Sequence, residues 1–502
     1  MSKPRYPLLI EINTRVRLSE LSLELGRAAT LDDLPDTELD RFASDGFDLI
    51  WFLGVWQTGE AARQVSATHP EWLADYRRVL PDFQESDVSG SGFAVRDYRV
   101  HADFGGDAAL ARLRERLRAR GLRLVLDFVP NHVAPDHPWV DEHPDFFITG
   151  TEEQLAAEPR NYRRLETANG SRILAYGRDP YFPGWPDTLQ LQHGNPRLQE
   201  ALLGELKRIA HQCDGVRCDM AMLILPEIFE RTWGIPASTF WPAATAAVRA
   251  EIPGFLFLAE VYWDLEWTLQ QEGFDYTYDK RLYDRLVEGA ARPVREHLFA
   301  GLDFQDRLAR FLENHDEPRA AATFEPDAHR AAAVITFLSP GLRFFHQGQR
   351  EGKRVRIPIH LKRGPAEAPD AAIMTFYDTL FACLRDPAYR DGAWQLLETR
   401  PAWPENATND DVIVFSWSGP GALRRLVAVN HAAHRSECHV ALPWDDLSGR
   451  TWRFEDRLSK SVYERDGTDL ATQGLYLDLP AWECHAFEVR AISLHQVSRH
   501  EQ

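Results

Sequence analysis

Cysteine is scarce in this 502-residue chain: Cys213, Cys218, Cys383, Cys438 and Cys484 only. An odd number at such spacings suits neither a disulfide framework nor a zinc ribbon. Long apolar runs are missing too. No apolar leader follows Met1-Ser2-Lys3-Pro4-Arg5, and no uninterrupted apolar stretch reaches the roughly 18 residues of a membrane span. The expectation is a soluble protein in a reducing, cytoplasmic setting with no membrane partner. Basic charge is in deficit, with 57 Lys and Arg against 76 Asp and Glu, a net charge of −19. Without a basic surface, a nucleic-acid backbone is a poor partner and a neutral ligand is a better one. No internal repeat is visible, and nothing in the sequence speaks to oligomeric state.

What the chain does have is apolar content, 44% of residues, and 15 tryptophans, enough for a full core with some rings left to line a ligand cleft. Residues 121–132 read GLRLVLDFVPNH. The short apolar run suits a strand buried on both faces. Before it, residues 108–120 carry Leu110, Leu113 and Leu117 at helical spacing. Helix, glycine, buried strand and polar cluster is the pattern of a parallel α/β protein, whose chemistry gathers at the C-terminal strand ends. DGVRCDMAM (214–222), FLFLAEVYW (255–263) and FLENHDEPR (311–319) have the same form. Converging strand ends would bring Asp127, Asp219, Glu260 and Asp316 to one mouth. A lone Asp at a strand end caps a helix more often than it catalyses. The weight lies on the acids jointly, with Arg217, His132 and His315 beside them.

Taken in order, residues 8–12 and 48–55 read as the first two strands, with a helix over 34–42 between them. The polar stretch 56–92 reads as a flexible active-site loop. It contains Ser-Gly-Ser-Gly at 89–92, but lacks the strand-to-helix junction and lysine of a phosphate loop. Residues 133–195 show little periodicity, and a structureless connection of that length is unusual unless functional. Past about 400 the character changes to short β-rich runs: VIVFSW (412–417), RLVAVN (425–430), CHVAL (438–442) and AFEV (486–489).

DFVPNH (127–132), GVRCDMAM (215–222), LAEV (258–261) and ENHDEP (313–318), in that order, closely resemble the four signature segments of the α-amylase family, glycoside hydrolase family 13. Flanking features carry the resemblance over most of residues 1–390. It implies an α/β fold: a (β/α)₈ TIM barrel over 1–132 and 196–392, and a short inserted domain, 133–195, after strand 3. The β-rich remainder, 393–492, reads as a C-terminal β-sandwich, followed by a polar tail, 493–502.

By this resemblance Asp219 is the nucleophile of a covalent glycosyl-enzyme, Glu260 is the general acid/base, and Asp316 binds sugar hydroxyls and stabilises the oxocarbenium-like transition state. The residue types agree. Arg217, two before Asp219, leaves the strand on the same face and favours its ionised form. Glu260 ends an apolar run and faces two other carboxylates, which raises its pKa as an acid requires. Cys218 should point away from the mouth. The resemblance also has His132 and His315 hydrogen-bond the sugar and Phe93 stack on it where the family usually carries Tyr. Asp127 would pair with Arg217, and Arg319 would hold a further hydroxyl or a carboxylate. Many relatives bind calcium through an Asn like Asn131, but the six or more oxygens it needs cannot be assembled here. Zinc on His132, His137 and His143 lacks an HExxH or a cysteine partner. No cofactor or metal is expected.

Gly90, three residues before Phe93, stands where α-glucosidases of the family often carry Asp, and Met222 and Leu223 stand where starch-cleaving members often carry Lys-His. The expected function is a retaining α-glycoside hydrolase acting on α-glucosidic bonds of short oligosaccharides or glucosides. An α-glucosyl transferase, isomerase or phosphorylase using the same intermediate is the alternative. A non-catalytic barrel serving as an interaction subunit is the second.

Overall fold

The computed structural model describes residues 4–168 and 170–492; the tail expected at 493–502 lies outside them. Within the described residues eight parallel strands close into a barrel: β1 (Leu8–Asn13), β2 (Leu49–Leu53), β3 (Arg123–Phe128), β4 (Gly215–Cys218), β5 (Leu256–Ala259), β6 (Tyr276–Tyr278), β7 (Leu308–Arg310) and β8 (Leu342–His346). Each strand pairs with its sequence neighbours. The ring closes between β1 and β8, from Leu8 opposite Arg343 to Glu11 opposite His346. β2, β4 and β5 are buried along their whole length, which is why they read as unbroken apolar runs. Gly106–Arg118 and Pro196–Ala210 lay their apolar stripes on the outside of the ring. The helix Thr14–Leu25 carries no clear stripe in the sequence, because Thr14 and Arg15 are among its buried residues.

The flexible loop expected over 56–92 is a correction. The strand Trp56–Thr58 leads into helices Glu60–Thr68 and Pro70–Val79. Tyr76, Leu80 and Val88 pack with Leu361 from the loop after β8 as a small core of their own. Those apolar residues are too few to mark a helical period. Between β3 and β4 the chain forms a hairpin, Tyr162–Thr167 and Gly170–Ala175, whose Tyr162 and Ile173 pack on Phe229 of the helix Pro226–Trp233.

The C-terminal region is a two-sheet β-sandwich. Six strands, including Val412–Gly419, Leu423–Asn430 and Cys484–Ile492, form one sheet, and Thr399–Pro401, Ser436–Val440 and Leu475–Leu479 form the other. Val414, Leu426 and Phe454 from the first meet Val440 and Leu477 from the second in a shared core. The sandwich is pegged to the barrel by Trp417, whose indole donates to Leu338 O at 2.8 Å, and by Arg425 on Asp386 at 2.6 Å. Among the described residues no helix is long and apolar enough to cross a membrane.

Candidate active site

Asp219 and Glu260 lie one residue beyond β4 and β5. Their backbone amides still donate across the ladder, Asp219 to Phe128 O at 2.9 Å and Glu260 to Cys218 O at 3.1 Å. That extra rung sets the direction in which each side chain leaves. Arg217, fully buried, donates through Nη1 to Asp219 Oδ1 at 2.8 Å. Its Nη2 stands 2.8 Å from Glu260 Oε2, an ion-pair contact outside hydrogen-bond alignment. The guanidinium is walled by aromatic faces: Phe93 at 5.0 Å, Trp51 at 5.1 Å and Tyr278 at 5.7 Å from its carbon. Tyr278 Oη also accepts from Arg217 Nε at 3.2 Å. One dry cation thus gathers two acids from separate strands.

Burial lifts the Glu260 carboxyl to about 7, with Arg217 opposing and Asp219 and Asp316 adding to the rise. Glu260 Oε2 accepts from Met220 N at 2.7 Å and Oε1 from Tyr262 Oη at 2.9 Å. Met220 reaches it from a left-handed conformation, φ 41°, uncommon for a non-glycine residue. For Asp219, burial raises the carboxyl, and Arg217 opposes that rise by charge and hydrogen bond, favouring the ionised form.

Asp316 follows β7 on a turn that Asn314 builds, its Oδ1 accepting from Asp316 N at 2.9 Å and Glu317 N at 2.8 Å. Its side chain is 46% exposed, the open edge of the mouth. Burial pushes Asp316 up, but His315, with Nε2 3.0 Å from Oδ2, outweighs it and holds the carboxyl below its ordinary range. His132 places Nε2 4.0 Å from Asp219 Oδ2, and burial lowers it to about 4, so it is neutral at pH 7. Phe93, half-buried, stands 5.2 Å from the His315 ring. Cys218 is buried in the apolar core beside the site.

Two further expectations are narrowed. Asp127 faces Arg217 across the β3–β4 register and the guanidinium charge favours its ionised form, but its hydrogen bonds go elsewhere. Its oxygens accept from Trp51 Nε1 at 3.0 Å and Gly54 N at 2.6 Å. It therefore orders Trp51, one wall of the guanidinium cage. Arg319 is 4% exposed and spent on protein: it bonds Glu313 at 2.6 Å, Gln347 O at 2.8 Å and His346. It ties the loop after β7 to the loop after β8 and presents no free fork to a sugar. Asn131 Oδ1 accepts from Gln190 Nε2 at 3.0 Å. Among the described residues no group of three or more His, Cys, Asp and Glu side chains is disposed to hold a metal.

Sequence reasoning missed Glu11, Trp51 and the Met220 amide. Glu11 had a readable signal, a lone acid inside the apolar strand LLIEIN. The Met220 conformation had none.

Residues 46–273 match the family model for the alpha amylase catalytic domain. That stretch, which runs from β2 to β5, is similar to the α-amylase family's catalytic domain. Solved structures similar in fold to the whole chain include a maltogenic α-amylase, AmyB, from Thermotoga neapolitana, with a TM-score of 0.68 at 17% identity over 96% of this chain and 99% of that one. An α-amylase from Lactobacillus plantarum gives 0.68 at 19% identity over 97% and 99%. By sequence the chain is 23% identical over 320 residues to Alpha-amylase 3 of Dictyoglomus thermophilum, covering 58% of this chain and 59% of that protein. It is 28% identical over 211 residues to the trehalose synthase/amylase TreS of Mycobacterium tuberculosis, covering 38% and 34%. The chain thus spans between a third and three-fifths of the length of these curated relatives.

Proposed function

We propose that the protein is a retaining α-glycoside hydrolase acting on short α-glucosides, with Asp219 as nucleophile, Glu260 as acid/base and Asp316, His315, His132 and Phe93 as the sugar's cradle. The observation that carries this reading is Arg217 holding both Asp219 and Glu260 at 2.8 Å. Acids sharing one guanidinium suit the short separation, about 5–5.5 Å, of a covalent mechanism, whereas an inverting pair needs a gap that admits a water. Glu260 gives its proton to the leaving oxygen as an Asp219 oxygen bonds the anomeric carbon. In the second half, Glu260 takes a proton from the incoming hydroxyl and the sugar leaves Asp219 with its anomer retained. No cofactor enters either step.

A short substrate is favoured by Met222 and Leu223, both buried in the turn after β4, which leave no Lys-His pair for a long leaving chain. Gly90 bears on the same point. A side chain there would stand 3.2 Å from the Arg63 backbone, and the Gly90 carbonyl accepts from Arg15 at 3.3 Å, so the glycine serves loop packing.

Transfer to a second sugar is the other reading. Asp219 and Glu260 are only 5% and 3% exposed, and a site that excludes water lengthens the life of the glycosyl-enzyme. The similarity to a trehalose synthase/amylase points the same way. The test is a panel of α-linked disaccharides and maltooligosaccharides, with and without inorganic phosphate, followed by proton NMR. Retained α-anomer from disaccharides is the expected result. Inverted product would overturn the mechanism, and disaccharide products or a sugar phosphate would select transfer or phosphorolysis. Turnover close to wild type in Asp219→Asn or Glu260→Gln would remove the assignment of roles.

A further inference from the structure

The floor of the site holds a charge that the proposed chemistry does not use. Glu11, on β1, is fully buried inside the barrel. Its Oε1 is 2.6 Å from His315 Nδ1, while Oε2 has no partner at all. A buried carboxylate needs a cation. The His315 imidazole lies against it, with its other nitrogen in ion-pair contact 3.0 Å from Asp316 Oδ2, outside hydrogen-bond alignment.

We propose that Glu11 is a positioning residue: its carboxylate holds His315 as a cation protonated on both ring nitrogens, and the charge of His315 in turn keeps Asp316 ionised at the mouth where the sugar would bind. The proposal rests on the glycosidase reading of the site and deepens it. Acid, imidazole and acid form a line from the barrel floor to the open rim, Glu11 fully buried and Asp316 46% exposed. Rings of Trp51 at 5.8 Å and Phe93 at 5.2 Å pack on the imidazole and shield it from water. The other charged or titratable groups that act on this cluster are Asp127 from β3, Arg217 on β4 with Asp219 beyond it, Glu260 and Tyr262 beyond β5, Tyr278 on β6, Glu317 beyond β7, His346 on β8 and Arg356. Asp127 is committed to Trp51 and Gly54, Asp219 to Arg217, and burial together with Arg319 keeps His346 neutral. That leaves Glu11 and Asp316 as the acids in contact with His315, and both favour its charged form. A histidine held by a carboxylate on one nitrogen presents the other with a defined proton and orientation.

The test reads the imidazole directly. The full chain, labelled with [15N]histidine and assigned with His315→Gln, is titrated by NMR between about pH 5 and 8. His315 is expected to keep both ring nitrogens protonated across that window. In Glu11→Gln, which keeps the shape and removes the charge, His315 is expected to lose a proton within it. A neutral His315 in the wild type at pH 7, or the same titration in Glu11→Gln, overturns the proposal. Kinetics give the second readout. Glu11→Gln is expected to lower kcat by on the order of tenfold to a hundredfold, with KM changed far less, and to move the alkaline limb of kcat to lower pH. Glu11→Asp, which restores the charge, should bring the limb back. Should no glycoside turn over, the NMR result still decides Glu11. A charged His315 in a protein that cleaves no sugar would bring down the functional reading alone.

Discussion

At the scale of the single residue, Glu260 concentrates the pH behaviour. Burial puts its carboxyl at about 7, so the protonated form that donates to a leaving oxygen persists to neutral pH. An alkaline limb near pH 7 in kcat/KM is expected, measured on whichever disaccharide the panel selects. Tyr262 tunes that limb. Its hydroxyl donates to Glu260 Oε1 at 2.9 Å and favours the ionised form, so Tyr262→Phe should move the limb to higher pH. A limb that stays put or falls would contradict this hydrogen-bond assignment. The same residue sets a stability slope. A carboxyl whose folded pKa lies above its unfolded value binds more protons when folded, so it costs stability as pH rises from about 4.5 to about 7. Wild type should therefore lose Tm relative to Glu260→Gln across that interval. Of these features, the identity of the acid was legible, because a carboxylate closing an apolar strand is rare in sequence. The donors around it were not. The Met220 amide reaches Glu260 only through a left-handed turn that no glycine announces.

At the scale of elements, the Ser-Gly-Ser-Gly segment shows what a motif means once packed. A Cβ on Gly92 would stand 3.0 Å from Gly54 Cα, so two loops meet backbone to backbone just where Phe93 is delivered to the site. Arg15, the second residue of the helix after β1, clamps the segment by donating to Ser89 O at 3.0 Å and Gly90 O at 3.3 Å and to Thr58 Oγ1 at 3.1 Å. Arg15→Met removes the clamp and takes the buried guanidinium donor from Ser89 O and Gly90 O, the latter keeping only the Ser89 hydroxyl. It is expected to raise KM and to destabilise the protein by about 1–3 kcal/mol, checked by urea denaturation alongside kinetics. An unchanged KM would separate Phe93 placement from Arg15. The sequence could not show this element, because its key contacts join residues 15, 54, 58 and 89–92 through space. It does show why 56–92 reads as loop: its helices bury only a few apolar side chains, and those pack on Leu361 far along the chain.

At the scale of the whole molecule, the β-sandwich is part of the barrel's support. Trp417 is fully buried, edge-on to Tyr6 at 5.2 Å, and its indole donates to Leu338 O just before β8. Trp417→Ala is expected to cost about 3–5 kcal/mol in chemical denaturation and to lower the stability of the barrel along with the sandwich. Separate transitions with an unperturbed barrel would refute that coupling. The sequence by itself determined the order of buried strands, their polar ends and the acids, arginine and histidines that sit there, because strand burial and side-chain alternation are local properties written residue by residue. Only the tertiary structure decided the partners: that Arg217 serves Asp219 and Glu260 while Asp127 turns to Trp51, that Arg319 is spent on Glu313, and that Glu11 stands under His315. Those choices depend on which strand ends meet when the ring closes and how much water is left between them, and both are properties of the closed barrel as a whole.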